Sequence, residues 1–71
     1  MKMGLYKHYK GQLYQVVGKA RHSETLEELV VYQALYGEYG LWVRPMAMFQ
    51  EHVEYNGAYV PRFAYIASPA E

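Results

Sequence analysis

The sequence predicts an all-β fold, a small barrel of five or six short antiparallel strands with one 3-10 helical turn. Two observations support this prediction. Short segments alternate apolar and polar residues, as half-buried strands do, and turn-forming residues such as Lys10-Gly11 and Asn56-Gly57 separate them. Consecutive hairpins of this length close most economically as a small, strongly twisted barrel.

The chain is expected to be one domain over residues 1–71. A chain this short buries only about 60% of its unfolded surface. It has no Cys, so neither a disulfide nor a thiolate metal site can stabilise it. Nine Tyr, two Phe and one Trp must supply the packing, because each ring buries ~150–250 Å². A homodimer formed through an aromatic patch would be a second source of stability.

The first two strands are predicted at Leu5–Tyr9 and Gln12–His22, joined by a turn at Lys10-Gly11. In the second strand, alternation places one set of side chains on the face that we expect to be buried. The members of that set are Tyr14, Val16, Gly18 and Ala20. Because Gly18 and Ala20 are small, we expect a bend or the close approach of Trp42 or a Tyr there.

The segment from Ser23 to Tyr36 allows two interpretations. Thr25 and Glu28 have capping-box spacing, so Glu24–Tyr36 can be drawn as a helix that ends at Gly37. The β-branched and aromatic run at residues 30–32 favours a strand instead. We predict a turn at Ser23–Glu27 and a central strand at Glu28–Tyr36, with the helix as the alternative.

Leu41–Arg44 is predicted to be the next strand, with Trp42 and Arg44 on one face. Pro45 cannot donate a ladder hydrogen bond, so the strand should end there. Pro also suits the first position of a helix, and a single helical turn is expected from Pro45 to Gln50. Met46 and Phe49 would then lie on the same side of that turn.

The dipeptide Asn56-Gly57 is the strongest local signal, because both residues tolerate the positive φ angles of a type I′ turn. Glu51–Tyr55 should therefore pair with Ala58–Ile66. This register places Glu51 opposite Arg62, an opposite-charge pair. It also places Pro61 opposite His52 at a non-hydrogen-bonded site.

A series of motifs extends along the chain: Tyr6-x-His8-Tyr9-Lys10-Gly11, Ala20-Arg21-His22-Ser23-Glu24-Thr25-Leu26-Glu27, Val30-Val31-Tyr32, Leu35-Tyr36, Trp42-Val43-Arg44-Pro45, Met48-Phe49 and Pro61-Arg62-Phe63. The sequence resembles the bacterial domain family of unknown function called DUF1653 through these motifs. They cover nearly the whole chain and are specific in combination. Members of the family resemble SH3-like barrels, which implies the barrel and favours the strand over the helix at residues 28–36. The resemblance implies no activity, substrate or catalytic residue.

Charge and hydropathy limit the classes of binding partner that we expect for this chain. Seven Lys and Arg balance seven Glu, so the chain lacks the positive field that non-specific nucleic-acid binding uses. No apolar run approaches ~18 residues and the N-terminus has no signal-like segment, so we expect no membrane partner and a cytoplasmic location. No Gly-rich phosphate loop is present and we expect no cofactor.

His22-Ser23-Glu24-Thr25 brings an imidazole, hydroxyls and a carboxylate together in sequence. A hydrolase could use such groups, but residues adjacent in sequence seldom converge as a catalytic triad requires. The alternative is that Ser23 or Thr25 caps a turn. The three His residues have no ligand-like spacing, so we expect no metal site.

A second constellation consists of aromatic and Arg side chains on neighbouring strands, bordered by the His22 turn. Arg binds carboxylate or phosphate through two parallel hydrogen bonds and stacks on rings. The alternative is that Trp42 fills the core and Arg44 pairs with Glu24 or Glu51. The candidate ligand-binding residues are Trp42, Arg44, Tyr32, Arg62, His22 and Glu24.

The function favoured by these patterns is that of a non-catalytic binding module. It would present the aromatic and Arg surface to a peptide, a protein partner or a small anionic ligand. One alternative is a minimal hydrolase or metal-dependent enzyme that uses His22 and Glu24. Another is a single-stranded nucleic-acid binder that stacks bases on Tyr and Trp, which net neutrality disfavours.

Overall fold

A computed structural model describes residues 1–68, and these residues form seven strands and one short helix. The elements are β1 (Gly4–His8), β2 (Leu13–Arg21), β3 (Glu28–Ala34), β4 (Leu41–Pro45), α1 (Met46–Phe49), β5 (His52–Tyr55), β6 (Ala58–Pro61) and β7 (Phe63–Ala67). The prediction of an all-β fold with one helical turn is confirmed. The strands number seven rather than five or six, and the turn is α-helical rather than 3-10.

The strands form two antiparallel ladders. Five of them make a sheet in the order β4-β3-β2-β1-β7, and β5 and β6 make a separate hairpin. Within residues 1–68 the hydrogen-bonded ladders leave this sheet open, with β4 and β7 at its edges.

The predicted last strand, Ala58–Ile66, is divided at Arg62. The Arg62 N–H donates to the Glu51 carbonyl oxygen at 2.8 Å, and its own carbonyl oxygen accepts the Tyr9 N–H at 3.0 Å. Because these two backbone groups bond to different segments, the chain passes at Arg62 from the hairpin to the edge of β1.

The strand interpretation is correct for residues 28–34, two residues short of the predicted end at Tyr36, and the helix alternative is wrong. Glu28–Ala34 forms β3, which lies between β2 and β4. The preceding turn is closed by two backbone hydrogen bonds, from the His22 N–H to the Glu27 oxygen at 2.8 Å and from the Leu26 N–H to the His22 oxygen at 2.9 Å. The backbone N–H and C=O groups of β3 find hydrogen-bond partners in the strands on both sides, and its β-branched and aromatic residues suit a central strand.

A β-bulge in β2 overturns the predicted face of the second half of that strand, whereas Tyr14 and Val16 share a face as predicted. Val16 pairs with Tyr32 and Gly18 pairs with Val31, so Val17 is an extra residue without an opposite partner. The bulge reverses the alternation, and beyond it Lys19 rather than Gly18 shares a side with Val16. A Cβ added at Gly18 would meet no atom within 4 Å, so no large side chain approaches that glycine.

The core is aromatic and lies between the five-stranded sheet and α1. Phe49 of α1 stacks on Phe63 of β7 with ring centroids 4.2 Å apart and planes inclined by 2°. The buried side chains are Tyr6, Val16, Val30, Tyr32, Ala34, Phe49 and Phe63. Met46 packs against this cluster from the same helical turn, as the predicted spacing of Met46 and Phe49 requires.

The hairpin signal at Asn56-Gly57 is confirmed. Asn56 has φ +53° and Gly57 has φ +82°, both positive as a type I′ turn requires. The register places His52 opposite Pro61 and Val53 opposite Val60, as predicted. None of the helices in residues 1–68 is long and apolar enough to cross a bilayer.

Candidate functional site

The β3–β4 hairpin brings Tyr32, Trp42 and Arg44 to one face of the sheet. Tyr32 lies directly opposite Trp42, and Arg44 follows two residues later opposite Val30. Residues two apart on a strand share a face, so Trp42 and Arg44 are on the same side as predicted. Trp42 is 58% exposed, and the alternative in which it fills the core is therefore wrong.

Arg44 is held by aromatic side chains. Its Nε donates a hydrogen bond to the Tyr32 hydroxyl at 3.3 Å, and its guanidinium carbon lies 5.8 Å from the centroid of the Phe63 ring. In residues 1–68, Arg62 and Glu51 form the one ion pair. The alternative that pairs Arg44 with Glu24 or Glu51 is therefore wrong, and Arg44 keeps terminal N–H groups available for a ligand.

Two further tyrosines complete the wall beside Arg44. The Tyr14 and Tyr36 hydroxyl oxygens are 2.7 Å apart and share a hydrogen bond, while the Tyr14 ring meets the Tyr32 ring edge-on at 5.4 Å. Burial, followed by the hydrogen bond to Tyr36, raises the pKa of Tyr14 to about 12. Tyr14 therefore stays a neutral hydroxyl across the physiological pH range.

We call the resulting concavity the tyrosine–arginine pocket, defined by Tyr14, Tyr32, Tyr36, Trp42 and Arg44. Its volume is about 200 Å³, below the ~300–1,000 Å³ typical of sites that enclose a drug-sized ligand. The pocket therefore suits a single side chain or head group. It offers one cation, several hydroxyls and an exposed indole, which together can hydrogen-bond an anion and cover an adjacent apolar surface.

Sequence reasoning missed Tyr14 and Tyr36 as pocket residues. Tyr14 was placed correctly on the same side as Val16, but that side was interpreted only as core. Tyr14 pairs with Ala34, two residues before Tyr36, and this register could not be read across the Ser23–Glu27 turn. The signal that could have found them is the position of Tyr32 and Tyr36 relative to Tyr14 on the neighbouring strand β2.

Arg62, His22 and Glu24 lie outside the pocket. Arg62 Nη2 is 2.9 Å from Glu51 Oε1, which is the opposite-charge pair that the hairpin register predicts. His22 Nδ1 accepts the backbone N–H of Glu24 at 3.1 Å and that of Thr25 at 3.4 Å. Here the imidazole caps a turn, and the use of His22 and Glu24 by a hydrolase stays a prediction.

His8 lies next to the pocket among aromatic rings and cations. Its ring centroid is 4.5 Å from that of Tyr9 and 5.0 Å from that of Phe63. Burial lowers the pKa of His8, and the positive charges of Arg62, Arg44 and Lys10 lower it further. The pKa of His8 therefore depends on the positive charges of these neighbouring residues.

The three His residues lie apart in the chain: His8 is in β1, His22 follows β2 and His52 is in β5. In the described part of the chain, no three His, Asp or Glu side chains come together in an arrangement that could hold a metal ion. A second concavity of about 350 Å³ lies near the N-terminus. It is bordered by Met1 and Lys2, and the Lys2 Nζ lies 4.9 Å from the Tyr65 ring centroid.

Fold and site together define a class: small, mainly β domains that carry a shallow aromatic pocket with a single arginine. The family model described as "Protein of unknown function (DUF1653)" matches residues 4–65, and the chain belongs to this family. A crystal structure of a DUF1653 protein from Bordetella bronchiseptica is 37% identical, with a TM-score of 0.89, and the match covers 100% of this chain and 94% of that one. No curated protein matches the sequence.

Proposed function

We propose that this protein is a non-catalytic binding module whose tyrosine–arginine pocket holds an anionic group of a peptide, a protein partner or a small ligand. The observation that carries the proposal is the placement of Arg44. Its guanidinium lies in a pocket of tyrosine rings and has no carboxylate partner in residues 1–68. A carboxylate or phosphate is the group that such a guanidinium binds best.

The surroundings of Arg44 support this role. The hydrogen bond from Nε to Tyr32 and the position over Phe63 restrict the side chain before any ligand arrives. Less rotamer entropy is then lost on binding. Hydrogen bonds to a charged group contribute ~1.5–3 kcal/mol each, so two bonds from Arg44 would be enough for a weak and specific contact.

The neutral hydroxyls and the indole support selectivity for a group attached to a larger molecule. One hydroxyl of the Tyr14–Tyr36 pair can donate a hydrogen bond to the anion while the other donates within the pair. Trp42 exposes more than half of its surface beside it, and exposed Trp and Arg are residues on which binding energy concentrates. The size of the pocket favours one acidic side chain or head group, with the rest of the partner lying across Trp42.

Titration with inorganic phosphate and with N-acetyl-aspartate amide, monitored by Trp42 fluorescence at constant ionic strength, tests this proposal. We expect saturable binding that Arg44→Gln abolishes. Arg21→Gln is the matched control, because Arg21 is an exposed arginine outside the pocket. Equal responses in the two variants would contradict the proposal. Unfolding of Arg44→Gln would instead assign the residue a structural role.

The single-stranded nucleic-acid interpretation and the enzymatic interpretation stay untested predictions, and neither gains support from a particular contact. The bacterial source of the related crystal structure supports a bacterial origin for this protein. Its location in the cytoplasm is a prediction from the sequence that cell fractionation would test.

A further inference from the structure

We propose that β4 pairs with β4 of a second copy of this chain, so that two five-stranded sheets join into one ten-stranded sheet about a two-fold axis. β4 is an edge strand, bonded to β3 on one side only. Leu41, Trp42 and Val43 are 66%, 58% and 59% exposed. This inference does not rest on anion binding at Arg44.

The centre of the exposed edge carries none of the devices that usually prevent strand pairing, and Arg44 and Pro45 lie at its end. Natural edge strands are protected by Lys or other charges, by Pro, by bulges or by very short length. Residues 41–43 of β4 carry no charge, and β4 pairs with β3 in continuous register over five residues without a bulge. Pro45 lies only at the end of the strand, so it limits the length of a partner ladder without blocking its centre.

The direction of the backbone groups follows from the β3–β4 ladder. The Ala34 N–H donates to the Gly40 oxygen, and antiparallel ladders alternate hydrogen-bonded with non-hydrogen-bonded pairs. The Tyr32–Trp42 and Val30–Arg44 pairs are therefore the bonded ones. The N–H and C=O groups of Leu41 and Val43 consequently point away from β3 and are available to another strand.

Pairing centred on Val43 makes the edge complementary to itself. Val43 would exchange both of its free hydrogen bonds with Val43 of the partner subunit. Trp42 would then face Arg44 of the partner subunit, and Arg44 would face Trp42 of the partner subunit. These are non-hydrogen-bonded positions, where side chains approach most closely. Each contact is a cation–π pair, and the two-fold axis forms it twice.

Other registers lose the direct contact between Trp42 and Arg44. A register centred on Trp42 keeps the backbone bonds of Leu41 and Val43, but it moves Arg44 from the position opposite Trp42 to a diagonal one. Centring the pairing on Pro45 removes both central hydrogen bonds, because Pro has no N–H. Centring it on Leu41 places Gly40 opposite Trp42, and the indole then has no side chain to contact. The Val43 register also brings the two Arg44 residues to diagonal positions about 7–8 Å apart. Salt screens such repulsion, so the dimer should strengthen from low to physiological ionic strength.

Sedimentation equilibrium measures the dimer and Val43→Pro tests its centre. The Val43 N–H is not used within the β3–β4 ladder, so Pro there removes only outward bonds. We expect the wild type and the control Val43→Thr to dimerise as concentration rises to about 1 mM. Val43→Pro should weaken association by at least about tenfold while circular dichroism stays unchanged. A wild type that remains monomeric throughout, or an equal dimer in Val43→Pro, would overturn the inference.

Single-cysteine variants test the register even if Val43→Pro fails to fold, since the chain has no Cys. Val43→Cys would place two Cα atoms about 5.5 Å apart, within disulfide range. Leu41→Cys is equally exposed but would lie about 13 Å from its copy, four residues along the ladder. Rapid crosslinking of Val43→Cys alone supports the pairing, and equal crosslinking of both variants contradicts it. A monomer whose Val43 amide is protected from exchange only by an added acidic peptide would assign the edge to a peptide instead.

Discussion

Arg44 and Arg62 both lie next to Phe63, yet their guanidinium groups have different partners. Arg62 forms the 2.9 Å ion pair with Glu51, and its Nε is buried without a hydrogen-bond partner in residues 1–68. The Arg44 guanidinium has aromatic partners, the Tyr32 hydroxyl and the Phe63 ring. The difference arises from the hairpins. The β5–β6 hairpin brings Glu51, just before β5, next to Arg62, just after β6, whereas β3 and β4 place Val30 opposite Arg44. An arginine placed without a carboxylate is the better candidate for recognising one.

Phe63 is the side chain on which this comparison depends most. It is buried, stacks on Phe49 and lies beneath Arg44. We expect Phe63→Ala to reduce the free energy of unfolding by about 3–5 kcal/mol, the largest of the expected losses, as measured by urea denaturation. Phe63→Leu is the milder control that keeps most of the apolar volume. A loss below about 1 kcal/mol for Phe63→Ala would show that the aromatic stack is not what holds the two arginine regions together.

The arginines themselves should separate stability from binding. We expect Arg62→Gln to reduce the free energy of unfolding by about 1 kcal/mol, because it breaks a partly exposed ion pair and loses packing of the stem. Arg44→Gln should reduce it by about 0.5–1 kcal/mol, since it removes one partly buried hydrogen bond to Tyr32 and the contact with the Phe63 ring.

A double-mutant cycle isolates the ion pair from the packing. The coupling energy between Arg62→Gln and Glu51→Gln should be about 0.2–1 kcal/mol, and that between Arg44→Gln and Glu51→Gln should be near zero. A larger stability loss for Arg44 than for Arg62 would reverse the roles assigned to the two residues.

The pKa of His8 depends on the charges of both arginines, so titrating His8 compares the two residues. Burial lowers its pKa first, followed by the charges of Arg62 and then Arg44. In a titration of the His8 ring by NMR, Arg62→Gln should therefore raise this pKa more than Arg44→Gln does. An opposite order would show that Arg44 lies closer to His8 electrostatically than the structure indicates.

The lowered pKa of His8 also gives stability a pH dependence. The unfolded chain binds a proton near the ordinary His pKa of about 6.5, before the folded chain does. Unfolding therefore takes up protons below that pH, and the contribution of His8 to stability is lost as pH falls from about 6.5 to its folded pKa. The urea midpoint of the wild type should fall as pH falls over this interval, and His8→Gln should reduce this dependence on pH. An unchanged dependence of the midpoint on pH would contradict the assignment.

Parts of the fold could be predicted from the sequence because residues close together in the chain determine them. Asn56-Gly57 determined a hairpin register, and with it the Glu51–Arg62 pair. Pro45 and the spacing of Met46 and Phe49 determined the end of β4 and the buried side of α1. The exposed position of Trp42 did not follow, because it depends on β4 lying at the edge of the sheet, which the order of strands in the sequence does not determine.

The errors have a common physical origin in contacts between segments distant in sequence. The Val17 bulge depends on how β2 fits against β3, and nothing in the alternation of β2 reports it. Arg62 was predicted to be both an ion-pair partner of Glu51 and a ligand contact. The first role makes the second less favourable, since a ligand would have to compete with Glu51.

Arg44, and not Arg62, is the arginine that we propose receives an anion, and the assigned function depends on this choice. NMR detection of the two Nε–H groups during titration with N-acetyl-aspartate amide at constant ionic strength tests it most directly. We predict a saturable shift of the Arg44 Nε–H and the Trp42 indole N–H, with the Arg62 Nε–H unchanged. A saturable shift at Arg62 with none at Arg44 would contradict the proposal.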